Sequence, residues 1–289
     1  NSVVRGLVIQ RFDGPGISVM SDGNTIEGNF IGTNAAGTMA VGNNGPAVFI
    51  DGDNNIIGST AGLGNLISGG NGTGVDLEGP NSDNNQIVGN LIGTGIGGAV
   101  DLGNALSGIV IVGGSNNTIG GATLGARNVI SGNNQKGIEI SGAVAVGNAI
   151  RGNYIGTDVT GMFNLGNTEH GIQVVFASST QIGGTNAGEG NLTSGNDQFG
   201  ITLNQTPSAT IQGNFIGTDK NGTGGTTAGT LIYGPYLRTG IPALPVCANK
   251  GSTDLEIVTG APVAVGGAAA KGWMYSTDIG IIIANCADS

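Results

Sequence analysis

Gly152-Asn153-Tyr154-Ile155-Gly156-Thr157-Asp158 is the stretch whose reading decides the fold. Its core, Gly-Asn-x-Ile-Gly-Thr, recurs at residues 28–33, 89–94, 152–157 and 213–218, copies about 62 residues apart. A repeat of that length signals a solenoid or an array and must be settled before any single element is assigned.

The large period divides in two. One apolar position recurs at Ile17, Val48, Val75, Ile109, Ile138, Ile172 and Ile201, and a second at Ile26, Ile56, Ile87, Ile119, Ile150, Ile182 and Ile211. A third follows each of Asn29, Asn65, Asn90, Asn128, Asn153, Asn191 and Asn214. Each unit of about 31 residues therefore holds three very short strands separated by turns. One unit is too short to bury its own apolar face, but a stack of copies buries a continuous column. The expected fold is all-β: a right-handed parallel β-helix of three sheets and about seven coils over residues 1–225, then a small antiparallel β region over 226–289.

The seven asparagines are expected to form an internal or corner ladder, each amide bonding to the one in the next coil. Loop lengths agree with a helical stack. The gap from the second anchor to the asparagine alternates between short (Ile26 to Asn29) and long (Ile56 to Asn65), and a long loop at another corner compensates where it is short.

Composition narrows the function. Glycine accounts for 59 of 289 residues without a three-residue period, so it punctuates strands rather than building a collagen-like helix. Nine Lys+Arg against 19 Asp+Glu give a formal charge of −10, with no basic stripe for phosphates; nucleic acid is excluded as an expected partner. No run approaches the ~18 apolar residues of a membrane span. Cys247 and Cys286, both late in the chain, read as a disulfide of an oxidising compartment or as two buried thiols. The bridge would stabilise that region by roughly 4 kcal/mol.

Residues 1–222 resemble the glycine- and asparagine-rich parallel β-helix repeats of large bacterial surface and secreted proteins. The resemblance implies the fold and an extracellular or cell-surface setting, and says little about activity. Beyond about Thr226 the rhythm changes. Gly234-Pro235-Tyr236-Leu237, Ile241-Pro242 and Gly272-Trp273-Met274-Tyr275 through Asn285 resemble the C-terminal β-region of pilin-like and pseudopilin proteins; a hairpin that caps the last coil is the alternative.

Two functional readings follow. Val3-Val4-Arg5-Gly6-Leu7-Val8-Ile9 reads as the second and third strands of a coil, so missing upstream sequence or another subunit is expected to cover that end. With the pilin-like tail, this points to a structural or adhesive surface subunit that associates with itself end to end or with other surface or pilus subunits. The alternative is a polysaccharide-binding module or polysaccharide-degrading enzyme acting along one face. For that reading the outward position of the first strand matters: Ser18, Phe49, Asp76, Val110, Glu139, Gln173 and Thr202. Asp76 and Glu139 are two coils apart, roughly 9.5 Å at strand spacing, and are the candidate acid–base pair. His170 precedes a neighbouring copy of that strand and is the third catalytic candidate, although a lone histidine there is more often a turn residue than a catalyst. Lys136 is placed on a turn and Arg151 on another sheet.

No cofactor is expected. Asp51, Asp53, Asp158 and Asp219 lie in glycine-rich turns whose oxygens could hold structural calcium, but aspartate favours such turns without a metal.

Overall fold

The computed structural model describes residues 1–79 and 81–222, and three further strands, Val263–Gly266, Gly272–Ser276 and Ile281–Cys286. Two compact units, Asn1–Arg238 and Thr239–Ser289, divide the chain.

The first unit is a right-handed parallel β-helix. Sheet A has eight strands, from Val3–Arg5 through Thr25–Glu27 and Ile56–Gly58 to Thr210–Gln212. Sheet B has eight two-residue strands, from Val8–Ile9 to Phe215–Ile216. Sheet C has seven, from Ile17–Val19 to Ile201–Asn204. Every pairing within these sheets is parallel and joins a strand to its copy one coil away, as a repeat that buries its apolar face only by stacking requires. The chain enters through strands of sheets A and B before its first strand of sheet C, the order expected from residues 3–9.

The interior is built of isoleucine columns. Ile26, Ile57, Ile87, Ile119 and Ile150 descend sheet A, and Ile31, Ile67, Ile92, Ile130 and Ile155 descend sheet B, all fully buried. Each such side chain contributes about 1.5–3 kcal/mol by leaving water. One expected anchor shifts by a residue. Ile56 pairs with Thr25 and Gln86, both outward-facing, whereas Ile57 pairs with Ile26 and Ile87 in the core. Side chains alternate along a strand, so only one of two consecutive isoleucines can face inward.

Asparagine ladders close the corners. From Asn65 to Asn214, each Oδ1 accepts the backbone N–H and the Nδ2 of the preceding asparagine; Asn90 donates both to Asn128, at 2.9 and 3.0 Å. The other Nδ2 hydrogen satisfies a carbonyl at the core, as Asn128 does with Ile87 O at 2.7 Å. A second ladder runs through Asn24, Asn55, Asn85, Asn117 and Asn148, and a third through Asn104, Asn133, Asn167 and Asn196. Coils stack so closely at these corners that some positions admit only glycine. Gly58 has a φ of +103°, and a Cβ there would stand 1.8 Å from Val88 O.

The alternating loops are stacked elements too. Those near residues 33–40, 94–101 and 157–164 skip a coil and bond to one another, Ile96 N–H to Gly37 O at 3.0 Å and Val159 N–H to Gly98 O at 2.8 Å. They help shelter the outer column of sheet B, where Val129, Tyr154, Leu192 and Leu91 form a small second core outside the helix.

In the second unit, Ile281–Cys286 pairs antiparallel with Gly272–Ser276 and parallel with Val263–Gly266. The sheet is therefore mixed, where an antiparallel one was expected. Cys247 lies outside the described residues, and with it the expected pairing with Cys286. The proline-containing stretch of the pilin-like resemblance lies outside them as well. No helix among the described residues is long and apolar enough to cross a membrane.

Candidate functional site

Sheet C carries the polar chemistry on its outer face. Strand alternation turns the second and fourth residues of each strand outward, while the first and third fill the core. The registers set Ser18, Phe49, Asp76, Val110, Glu139, Gln173 and Thr202 side by side in one column. A parallel column runs through Glu78, Val112, Ser141, Val175 and Asn204. Asp76 thus has Phe49 on the rung before it, Val110 on the rung after it, and Glu78 on its own strand.

That setting makes Asp76 a weak acid. Its pKa is raised to about 6, first by burial, then by the negative charges of Glu78 and Glu139. At neutral pH an appreciable fraction of this carboxyl still holds its proton, as a general acid must.

Glu139 has a different environment. Lys136 Nζ lies 3.3 Å from its Oε2 and 3.2 Å from Oε2 of Glu169, one coil further on. Burial works against the charge on Lys136, but the Glu169 hydrogen bond and the charges of Glu139 and Glu169 outweigh it and hold its pKa above the ordinary lysine value. Sequence reasoning set Lys136 aside as a turn residue and did not consider Glu169. The turn carries Lys136 directly to the acid. Lys136 and His170 each stand three residues before the outward position of their strand (Glu139 and Gln173), so the repeat itself held the signal.

His170 lies on the same ridge. Its Nδ1 accepts the backbone N–H of Phe199 at 3.3 Å, and its ring meets the Phe199 ring with centroids 5.2 Å apart. Its pKa is lowered, first by burial; the Glu169 charge opposes this, and the Lys136 charge adds to it. A neutral imidazole with Nδ1 already engaged holds the ridge in shape.

The four aspartates considered for calcium are spread over different turns. Asp158 accepts the Thr160 hydroxyl and the N–H groups of Met162 and Phe163. Asp219 accepts the Asn221 N–H at 2.8 Å, and Asp53 accepts the Asp83 N–H at 2.8 Å. Asp51 follows its strand and donates its N–H to Val19 O. Among the described residues no three His, Cys, Asp or Glu side chains gather as metal ligands would.

Arg151, expected on another sheet, pairs with Glu189 at 3.3 Å from sheet A. Of the aromatics, Phe49 belongs to the sheet C column, Tyr154 is buried on sheet B, and Phe163, Phe176 and Phe199 are exposed at separate places.

No protein-family model and no curated protein matches the chain. Among solved structures, the A-module of Azotobacter vinelandii mannuronan C-5 epimerase AlgE6 is similar at 18% identity and a TM-score of 0.36, covering 73% of this chain and 58% of its own. The A-module of Azotobacter vinelandii mannuronan C-5 epimerase AlgE4 is similar at 14% identity and a TM-score of 0.37, with 73% and 57% covered, so the chain spans less than two thirds of either structure.

Proposed function

We propose that the chain acts on a polysaccharide laid along the outer face of sheet C and hydrolyses a glycosidic bond between Asp76 and Glu139 with inversion. One observation carries this reading. Asp76, a carboxyl with its pKa raised to about 6, shares an outward column with Glu139, a carboxylate paired to Lys136 two rungs away. Two rungs are roughly 9.5 Å, the upper edge of the ~6.5–9.5 Å separation that leaves room for a water between an acid and a base.

The steps balance. Protonated Asp76 gives its proton to the bridging oxygen as the bond from that oxygen to the anomeric carbon breaks. Water attacks the same carbon from the opposite side, and Glu139 takes the water's proton. Val110 lies between the two acids as an apolar floor, and Phe49 offers a ring beside Asp76 on which a sugar can stack. Lys136, 3.3 Å from Glu139 Oε2, keeps Glu139 positioned.

The adhesive or filament-forming reading rests on the ends of the chain. The acid pair on its side is the more specific feature, so hydrolysis is preferred; an extracellular setting suits either. The test is a panel of neutral and acidic polysaccharides, with reducing ends measured and the anomeric configuration of the product followed by NMR. Product in the inverted configuration, lost in Asp76→Asn and in Glu139→Gln, is the expected result. Binding without product would make this face a recognition module, and neither binding nor product would sink the proposal.

A further inference from the structure

A second site lies on a different sheet. Six basic side chains occur among the described residues, and three have carboxylate partners: Arg5 with Glu27, Lys136 with Glu139 and Glu169, and Arg151 with Glu189. Of the remaining three, Arg127 and Lys220 line one cleft of about 350 Å³. In a chain of formal charge −10, two cations without carboxylate partners among the described residues, facing one hollow, mark a local reversal of sign.

The cleft is built from both layers of the solenoid. Tyr154 and Phe215 come from the outer column of sheet B, and Thr185 and Asn186 from the loop that bulges before Asn191. Arg127 is fixed there. Its guanidinium lies 3.9 Å over the Tyr154 ring, and its Nε donates to Gly152 O at 3.1 Å, which leaves the terminal nitrogens to face a ligand. The loop wall is braced by Glu189, whose Oε2 accepts both the N–H and the Nδ2 of Asn186, at 3.1 and 3.0 Å. Its other oxygen is held by Arg151, so this carboxylate of the loop wall is engaged elsewhere. Phe215 is 44% exposed, an apolar ring at the edge of a hollow that also offers cations, a hydroxyl and an amide. A volume of this order is at the small end of ligand pockets and suits one or two sugar units.

We propose that this cleft binds a saccharide unit carrying an anionic group, with Arg127 and Lys220 taking the anion and Phe215 the sugar face. Carboxylate, sulfate and phosphate substituents share the chemistry that Arg127 and Lys220 recognise. The site stands apart from the acid pair of sheet C, and its readout is binding rather than hydrolysis.

The test is an NMR titration of the full chain with glucuronate, glucose 6-phosphate, glucose and inorganic phosphate. The two anionic sugars are expected to shift resonances of Thr185 and Phe215, with glucose and inorganic phosphate about tenfold weaker or worse. Lys220→Gln should weaken both anionic sugars about tenfold, and Phe215→Ala should weaken them without affecting inorganic phosphate. Arg127 also supports Tyr154, so Arg127→Gln could disturb folding; Lys220 is exposed and its variant decides the matter alone. Glucose binding as well as glucuronate, inorganic phosphate binding as tightly as either sugar, or an unchanged affinity in Lys220→Gln would each overturn the proposal.

Discussion

Asp76 and Glu139 share one outward column of sheet C, separated only by the rung that carries Val110. They are too far apart to share a proton and close enough for the Glu139 charge to reach Asp76. Burial contributes most to the raised pKa of Asp76, Glu78 next, and Glu139 least. A carboxyl-carbon NMR titration should therefore find Asp76 with a midpoint near pH 6, moved down more by Glu78→Gln than by Glu139→Gln. In the proposed reaction the rate falls as pH rises through about 6, because Asp76 then loses the proton it must donate. A midpoint near 4 would remove Asp76 from the role of acid.

The same shift makes a statement about stability. A carboxyl whose pKa is higher in the folded state than its ordinary value of 3.8 binds its proton more tightly when folded, so folding is penalised as pH rises from about 4 to about 6, and fully above that. Asp76→Asn removes the penalty. At pH 7 the variant should be more stable than the parent by about 1–2 kcal/mol after allowance for solvent screening at this partly open site. Below pH 4 the gain should vanish. Urea unfolding at the two pH values checks this, and a gain that persists at low pH would assign it to something other than ionisation.

Lys136 works in the opposite sense. Its folded pKa is raised, so its contribution is present at neutral pH and is lost as pH climbs through the folded value, above that of an ordinary lysine. Lys136→Met leaves Glu139 and Glu169 without their shared cation. A loss of about 1 kcal/mol at pH 7 is expected, since all three side chains are partly open to solvent. It should shrink in high salt. A loss independent of salt would mean that packing of the lysine stem, and not its charge, holds the ridge.

Much of the fold was legible because the repeat states it several times over. Gly-Asn-x-Ile-Gly-Thr names the corner asparagine, the inward isoleucine of sheet B and the turn glycine in one string. Other features escaped because they are visible only once coils are laid in register. Asn24, Asn55, Asn85, Asn117 and Asn148 stand two residues before each inward isoleucine of sheet A, and would have selected Ile57 over Ile56. The outward Phe30, Leu66, Leu91, Tyr154 and Leu192 were taken simply as the residue after an asparagine, yet they form a column sheltered by loops. The candidate site was half legible. Its acids follow from strand alternation; Lys136 was legible only in the long repeat, three residues before Glu139, and Glu169 comes from the turn of the next coil, whose side-chain direction no two-residue period predicts.

The asparagine ladder should be a larger determinant of stability than any surface pair. Asn128 donates to Ile87 O and Asn153 Oδ1 and accepts two bonds from Asn90, all of them buried. Asn128→Ala leaves both neighbouring asparagines and a core carbonyl short of partners. A destabilisation of roughly 2–4 kcal/mol is expected, seen in denaturant unfolding with fast hydrogen exchange at Asn90. Asn128→Asp should be no better at pH 7, since it loses the donor and buries a charge. A loss below about 1 kcal/mol would make the ladder incidental to the stack.

Ile56 and Ile57 offer the sharpest test of the register. Ile57 is fully buried between Ile26 and Ile87, whereas Ile56 faces outward beside Thr25 and Gln86. Ile57→Ala opens a cavity in a column whose neighbours are held by ladders on both sides and cannot collapse into it. The expected loss is about 2–5 kcal/mol. Ile56→Ala removes a half-exposed side chain and should cost about 1 kcal/mol or less. Equal losses, or a larger one at Ile56, would shift this coil by one residue and turn every side chain of its sheet A strand to the other face.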